Sequence, residues 1–139
     1  MTVFEITPEI LQSLGQKDSV AFLRMLLWCE GARVGIVRNL IDVPSCVNVG
    51  DGGLDAVINN ANPSSEDVIP QGFSGFQVKA SDLIPSKCKK DLHQDKKILY
   101  PLQLKISRLM DQNGTYILVL FKDITSRQRR DRKEAIITY

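Results

Sequence analysis

The sequence predicts a single α/β domain in which a mixed central sheet is flanked by helices. Three observations carry this. Two short segments, Leu54–Ile58 and Phe76–Ala80, alternate as strands do. A continuous apolar run, Thr115–Phe121, reads as a buried central strand. Capped stretches with helical apolar spacing precede and follow these segments, in the order helix, strand, strand, strand, helix, strand, helix. At 139 residues, 43% of them hydrophobic, the chain is long enough for one real core and too short for two.

Thr7-Pro8-Glu9 opens a short helix, with Thr7 as cap and Pro8 at the first position, and Gly15 closes it. Asp18 or Ser19 then caps a longer helix running to about Arg33, stopped by Gly35. Leu23, Leu26, Leu27 and Val34 form its apolar stripe, and Glu30 falls within that stripe, where an unpaired carboxylate is costly. Two readings of Glu30 stand side by side: a helix-end acid that reaches solvent or pairs with Arg33 or Arg38, or an acid pointing into a site. Glu5, Glu9 and Asp18 lie near helix starts, where capping explains them.

Asn39–Val49 reads as a strand kinked at Pro44, followed by a tight turn, Gly50-Asp51-Gly52-Gly53. Asp51 is either a turn residue or a second ligand. In the next strand Leu54, Ala56 and Ile58 share one face, and Asp55 and Val57 the other. Asn59–Gly72 is a polar surface loop. Beyond it Phe76, Val78 and Ala80 point one way, and Gln77 and Lys79 the other. Ser81–Asp95 is a lysine-rich connection that includes Lys87, Lys89 and Lys90. Pro101–Met110 is a helix with Leu102, Ile106 and Leu109 on one face and Asn113-Gly114 as its stop. Thr125-Ser126-Arg127-Gln128 is a capping box opening a last helix to about Ile137. That helix has no stop signal before Tyr139, so the reading expects the N-terminal part of a longer protein.

The net charge of +2 hides an asymmetry: residues 1–78 hold 4 Lys/Arg against 9 Asp/Glu, and residues 79–139 hold 14 against 7. The basic half either grips a polyanion or solvates helix faces. The cations at Arg127, Arg129, Arg130, Arg132 and Lys133 leave the same choice. No apolar run is long enough for a membrane span, and Met1–Glu9 lacks a basic region followed by an apolar block, so the expected location is the cytoplasm. Cys29, Cys46 and Cys88 are widely spaced and suit reduced thiols, and with His93 as the only histidine a zinc site is excluded. The glycine turn lacks both common nucleotide-binding spacings.

The chemistry concentrates where the two alternating strands meet. A carboxylate (Asp55), an amide oxygen (Gln77) and an ammonium (Lys79) converging on one side of a sheet make a seat for a hard divalent cation and a phosphate. Gly50-Asp51-Gly52-Gly53-Leu54-Asp55 followed by Gln77-Val78-Lys79 resembles the PD-(D/E)XK nuclease superfamily, in particular its Mrr-like branch, over about Gly50–Asp82. The resemblance implies a restriction-endonuclease-like α-β-β-β-α-β core and a Mg²⁺-dependent DNA endonuclease, with Mn²⁺ able to substitute and with relatives in restriction, repair and antiphage defence. It implies Asp55 as principal metal ligand, Gln77 as a weaker one, the Val78 carbonyl as a further one, and Lys79 as the catalytic lysine. Leu54 stands where many relatives have Pro, and Gln77 where many have an acid, so another acid is wanted. Glu30, on the helix where related nucleases often keep one, is the candidate. A homo-oligomer or larger assembly is expected, because a double-strand cut needs two sites. The alternative is a nucleic-acid-binding or assembly module on the same fold.

Overall fold

The structure, a computed structural model, describes residues 6–44, 53–61 and 68–138. The expectations placed on Glu5, on residues 45–49 as strand, on Cys46, on Gly50, Asp51 and Gly52 as a turn and on residues 62–67 as loop lie outside the described residues. The elements run α1 (Pro8–Gln12), α2 (Gln16–Val34), β1 (Ile41–Asp42), β2 (Ala56–Ala61), β3 (Gly72–Lys79), α3 (Pro85–Asp91), α4 (Leu104–Asp111), β4 (Thr115–Leu120) and α5 (Ser126–Ile137). The four strands form one mixed sheet in the order β1-β2-β3-β4, the first three antiparallel and β4 parallel to β3. Among the described residues no helix is long and apolar enough to cross a membrane.

The helix signals largely match the expected ones. Thr7 caps α1 by accepting from the Ile10 N–H, Gly35 ends α2 at φ 85°, and Thr125 with Gln128 closes the reciprocal capping box of α5. The start of α2 differs: its cap is Gly15, with Asp18 in the first turn and Ser19 buried. Its buried stripe runs Val20, Leu23, Leu27, Gly31, so Leu26 is 37% exposed and Glu30 sits at the flank. Gly31 admits the Ile41 side chain, which a Cβ there would meet at 2.7 Å.

Two apolar layers sandwich the sheet. On one face α2 packs Val20, Leu23 and Leu27 against Ala56, Ile58, Phe76 and Val78. On the other, Leu54, Leu92, Ile106 and Leu109 gather with Val57, Phe73 and Tyr116 beneath α4. Phe76 and Val78 therefore share a face as expected, but Leu54 does not join Ala56 and Ile58. It lies over Gly75, whose missing side chain is the reason: a Cβ on Gly75 would stand 2.6 Å from Leu54 Cδ1. Gly53, at φ 94°, turns the chain into this arrangement.

Three further expectations change. Among the described residues of the first expected strand, 39–44, only Ile41–Asp42 forms β1, because Arg38–Leu40 coils as a 3₁₀ turn before it. The lysine-rich connection contains a helix, α3, started by Pro85 and seated by the buried Cys88. And β4 is an edge strand of the described sheet, not a central one. Nor is it buried: Thr115 is exposed and Tyr116–Leu120 are half-buried, with Phe22 against Phe121 on one side and Ile136 near Tyr116 on the other.

Candidate functional site

The site forms where β2 gives out before β3 does. Asp55 stands one residue before the start of β2, yet its N–H already donates to the Phe76 carbonyl at 2.8 Å. Beyond that rung, side chains replace the missing strand. Asp55 Oδ2 accepts the Val78 N–H at 2.7 Å. Gln16, from the first turn of α2, donates its amide to the Val78 carbonyl at 2.7 Å and accepts the Ala80 N–H at 2.9 Å. Backbone groups this close to a core require partners, and Asp55 and Gln16 supply them.

The other two motif residues, Gln77 and Lys79, flank Val78 on β3. Gln77 is buried, and its Oε1 accepts a short hydrogen bond from the Tyr116 hydroxyl on β4. Burial pushes the Tyr116 phenol above its ordinary range, and the charges of Asp91, Cys88 and Asp55 push it further, so it remains a protonated donor at neutral pH. Lys79 Nζ lies 3.0 Å from Asp91 Oδ2, the lysine side chain 27% exposed and the aspartate 8%. Asp91 closes α3, and its backbone carbonyl accepts the Gln103 amide at 2.6 Å, which anchors that helix end to the start of α4.

The structure thus brings Asp55, Gln77, Val78 and Lys79 to the end of β3. It adds Asp91, Tyr116 and Gln16, none of which stood out in the sequence. Glu30 meets Arg33, whose Nη2 donates to Oε2 at 2.9 Å and whose Nε donates to Oε1 at 3.2 Å. This is the ion-pair reading of that residue, with Arg33 as partner, while Arg38 stacks over the Trp28 ring at 3.9 Å. Among the described residues no group of three or more His, Cys, Asp or Glu side chains is placed to hold a metal ion.

Cationic surface lies next to the site. α3 packs on α5, and their junction with the chain leaving β3 is a paired Arg132–Asp82, at 2.7 Å for Nη2–Oδ2 and 3.0 Å for Nε–Oδ1. The guanidinium bond holds the Asp82 carboxyl below its ordinary value, against the opposing effect of burial. Arg132 is itself buried, so it serves the fold. Lys87 and Lys90 on α3, and Arg127, Arg129, Arg130 and Lys133 on α5, are exposed. Of the two thiols described, Cys29 is exposed, and Cys88 is buried with its pKa raised chiefly by that burial.

Compared with protein-family models, with curated proteins and with solved structures, the chain finds no match in any of the three.

Proposed function

We propose that this chain is a Mg²⁺-dependent DNA endonuclease of the PD-(D/E)XK kind, on a restriction-endonuclease-like core. The carrying observation is the gathering of Asp55, Gln77 and Lys79 at the end of β3, with a second, buried carboxylate, Asp91, on the lysine. The strand order, with three antiparallel strands and a fourth parallel to the third, supports the same reading.

The donor set suits a sparse hard-cation seat. Mg²⁺ commonly takes one or two carboxylates and fills its octahedron with water and substrate phosphate oxygens, so a cluster of three acids is not required. Asp55 and the Gln77 amide oxygen would hold it, with the Val78 carbonyl beside them and Asp91 as the nearby second acid. Bound there, the ion would polarise a phosphate and acidify a water. The protein's own part is positional. Tyr116 orients the Gln77 amide, Asp91 holds the Lys79 ammonium at the site's edge, and Lys79 stabilises charge developing on a phosphate. Exposed lysines on α3 and arginines on α5 would take the DNA backbone, and a double-strand cut would draw on two copies.

The test is cleavage of plasmid and linear duplex with Mg²⁺ or Mn²⁺, stopped by chelator and abolished in Lys79→Ala. A Lys79→Ala protein that cuts as well as the parent sinks the assignment.

One observation favours a second reading, a nucleic-acid-binding or assembly module without cleavage. Each motif group already has a protein partner: Asp55 the Val78 N–H, Gln77 the Tyr116 hydroxyl, Lys79 the Asp91 carboxylate. Salt-sensitive duplex binding that persists while no metal supports cleavage selects this reading.

A further inference from the structure

β4 has one neighbour in the described sheet and one open edge. Its phase on that edge is readable. The Phe121 N–H donates to the Lys79 carbonyl at 3.0 Å, so Ile117, Val119 and Phe121 turn their backbone groups toward β3. Tyr116, Leu118 and Leu120 turn theirs outward, and among the described residues no strand pairs with them. A row of unpaired donors and acceptors on an apolar strand is a template for another strand.

The ground on each side of that edge is grooved. Toward α2 lies a groove of about 300 Å³ with Leu11, Phe22, Leu26, Val119 and Phe121 in its walls. Toward α5 lies one of about 470 Å³ with Leu118, Leu120 and Ile136 beside Arg129 and Lys133. These two cations are exposed and, among the described residues, form no salt bridge, whereas Arg132 beside them is bound to Asp82. Asp123 is the one acid among the described residues of either wall.

A strand laid along β4 sends alternate side chains into the two grooves. One set meets an apolar wall, the other a wall with a cationic rim. From this we infer that the β4 edge binds an extended peptide segment of a partner protein, apolar at every second residue and acidic at intervening ones, by strand addition. A second copy of this chain fits less well, since pairing β4 with β4 brings two cationic rims together. Nucleic acid fits less well, since the groove toward α2 is chiefly apolar and its two phenylalanines, Phe22 and Phe121, pack edge to face on each other. The inference does not rest on the nuclease reading, although Arg129 on α5 is drawn on by both.

The test is selection from a library of random peptides roughly ten residues long, enough for one strand, on the immobilised chain. Enriched peptides should alternate apolar with Asp or Glu, and bind more weakly as salt rises. They should also slow hydrogen exchange at the Tyr116, Leu118 and Leu120 amides. Arg129→Glu with Lys133→Glu, on the exposed face of α5, should weaken them about tenfold or more and shift selection toward Lys and Arg, with the thermal midpoint unchanged. No enrichment, enrichment without the alternation, or unaltered exchange at those three amides overturns the inference. So does protection of the same amides by self-association or by a duplex oligonucleotide, which would assign the edge to a second copy or to nucleic acid.

Discussion

The Lys79 ammonium and the Asp91 carboxylate stand 3.0 Å apart, joining the last residue of β3 to the last residue of α3. The acid is nearly buried and the lysine is not, so the two ends of the pair have unequal access to water. Removing the lysine strands a buried carboxylate; removing the acid leaves an ammonium that can turn to solvent.

Lys79→Met should therefore cost more stability in urea unfolding than Asp91→Asn, the latter losing about 2 kcal/mol. The double variant Lys79→Met with Asp91→Leu should lose less than the sum of its parts. Additive losses would mean that the pair carries no coupling.

Asp55 has a structural task beside its proposed chemical one. Asp55→Ala leaves the Val78 N–H without its acceptor and should cost about 1–3 kcal/mol. Asp55→Asn retains an acceptor oxygen, so it should hold most of that stability while abolishing metal-dependent cleavage. Comparing the two by denaturation and by plasmid cleavage separates fold from chemistry.

Asp82 makes acid stability depend on Arg132. Its folded carboxyl titrates below the unfolded value of about 4, so its stabilising contribution is complete above that value and is lost as pH falls through the lower folded one. The stability gap between the protein and Asp82→Asn should be flat from neutral pH to about 5 and narrow below about 4. A gap unchanged at low pH would rule the pair out as its origin.

Gly75→Ala forces a methyl against Leu54 Cδ1 at 2.6 Å and Leu109 Cδ2 at 3.0 Å, both in buried side chains. The cost should be about 1–3 kcal/mol in thermal or urea unfolding. Gly75→Ala with Leu54→Val should recover part of it.

Glu30→Gln tests the remaining acid. As the partner of a largely exposed Arg33, it should lose at most about 1 kcal/mol. Cleavage that survives the substitution limits Glu30 to its ion pair, and a parallel fall in metal affinity and cleavage returns it to the site.

Much of the fold was legible because local signals agreed with their surroundings. The Thr7 and Thr125 caps, the Gly35 stop, the phase of Phe76 and Val78 and the faces of α4 are each set by near neighbours in the chain. What escaped depended on distant partners. Leu54 crosses to the other face because Gly75 leaves room there. The apolar run of β4 reports two half-covered faces and says nothing about which lateral edge is paired. Asp91 lay hidden in a lysine-rich stretch whose helix was marked only by Pro85 and the apolar spacing of Cys88 and Leu92. The Gln77 contact to Tyr116 and the Gln16 contact to β3 join segments far apart in sequence, which no periodicity encodes.

The completion of β3 by Asp55 and Gln16 has an energetic corollary. The last rungs of this sheet can open without unzipping a strand, since rotation of two side chains is enough to release Val78 and Ala80. Any ligand that draws on the Asp55 carboxylate or the Val78 carbonyl competes with those rungs for the same atoms. Occupancy and local breathing are then two readings of one equilibrium, and exchange at the Val78 and Ala80 amides becomes a built-in gauge of whether the seat is filled.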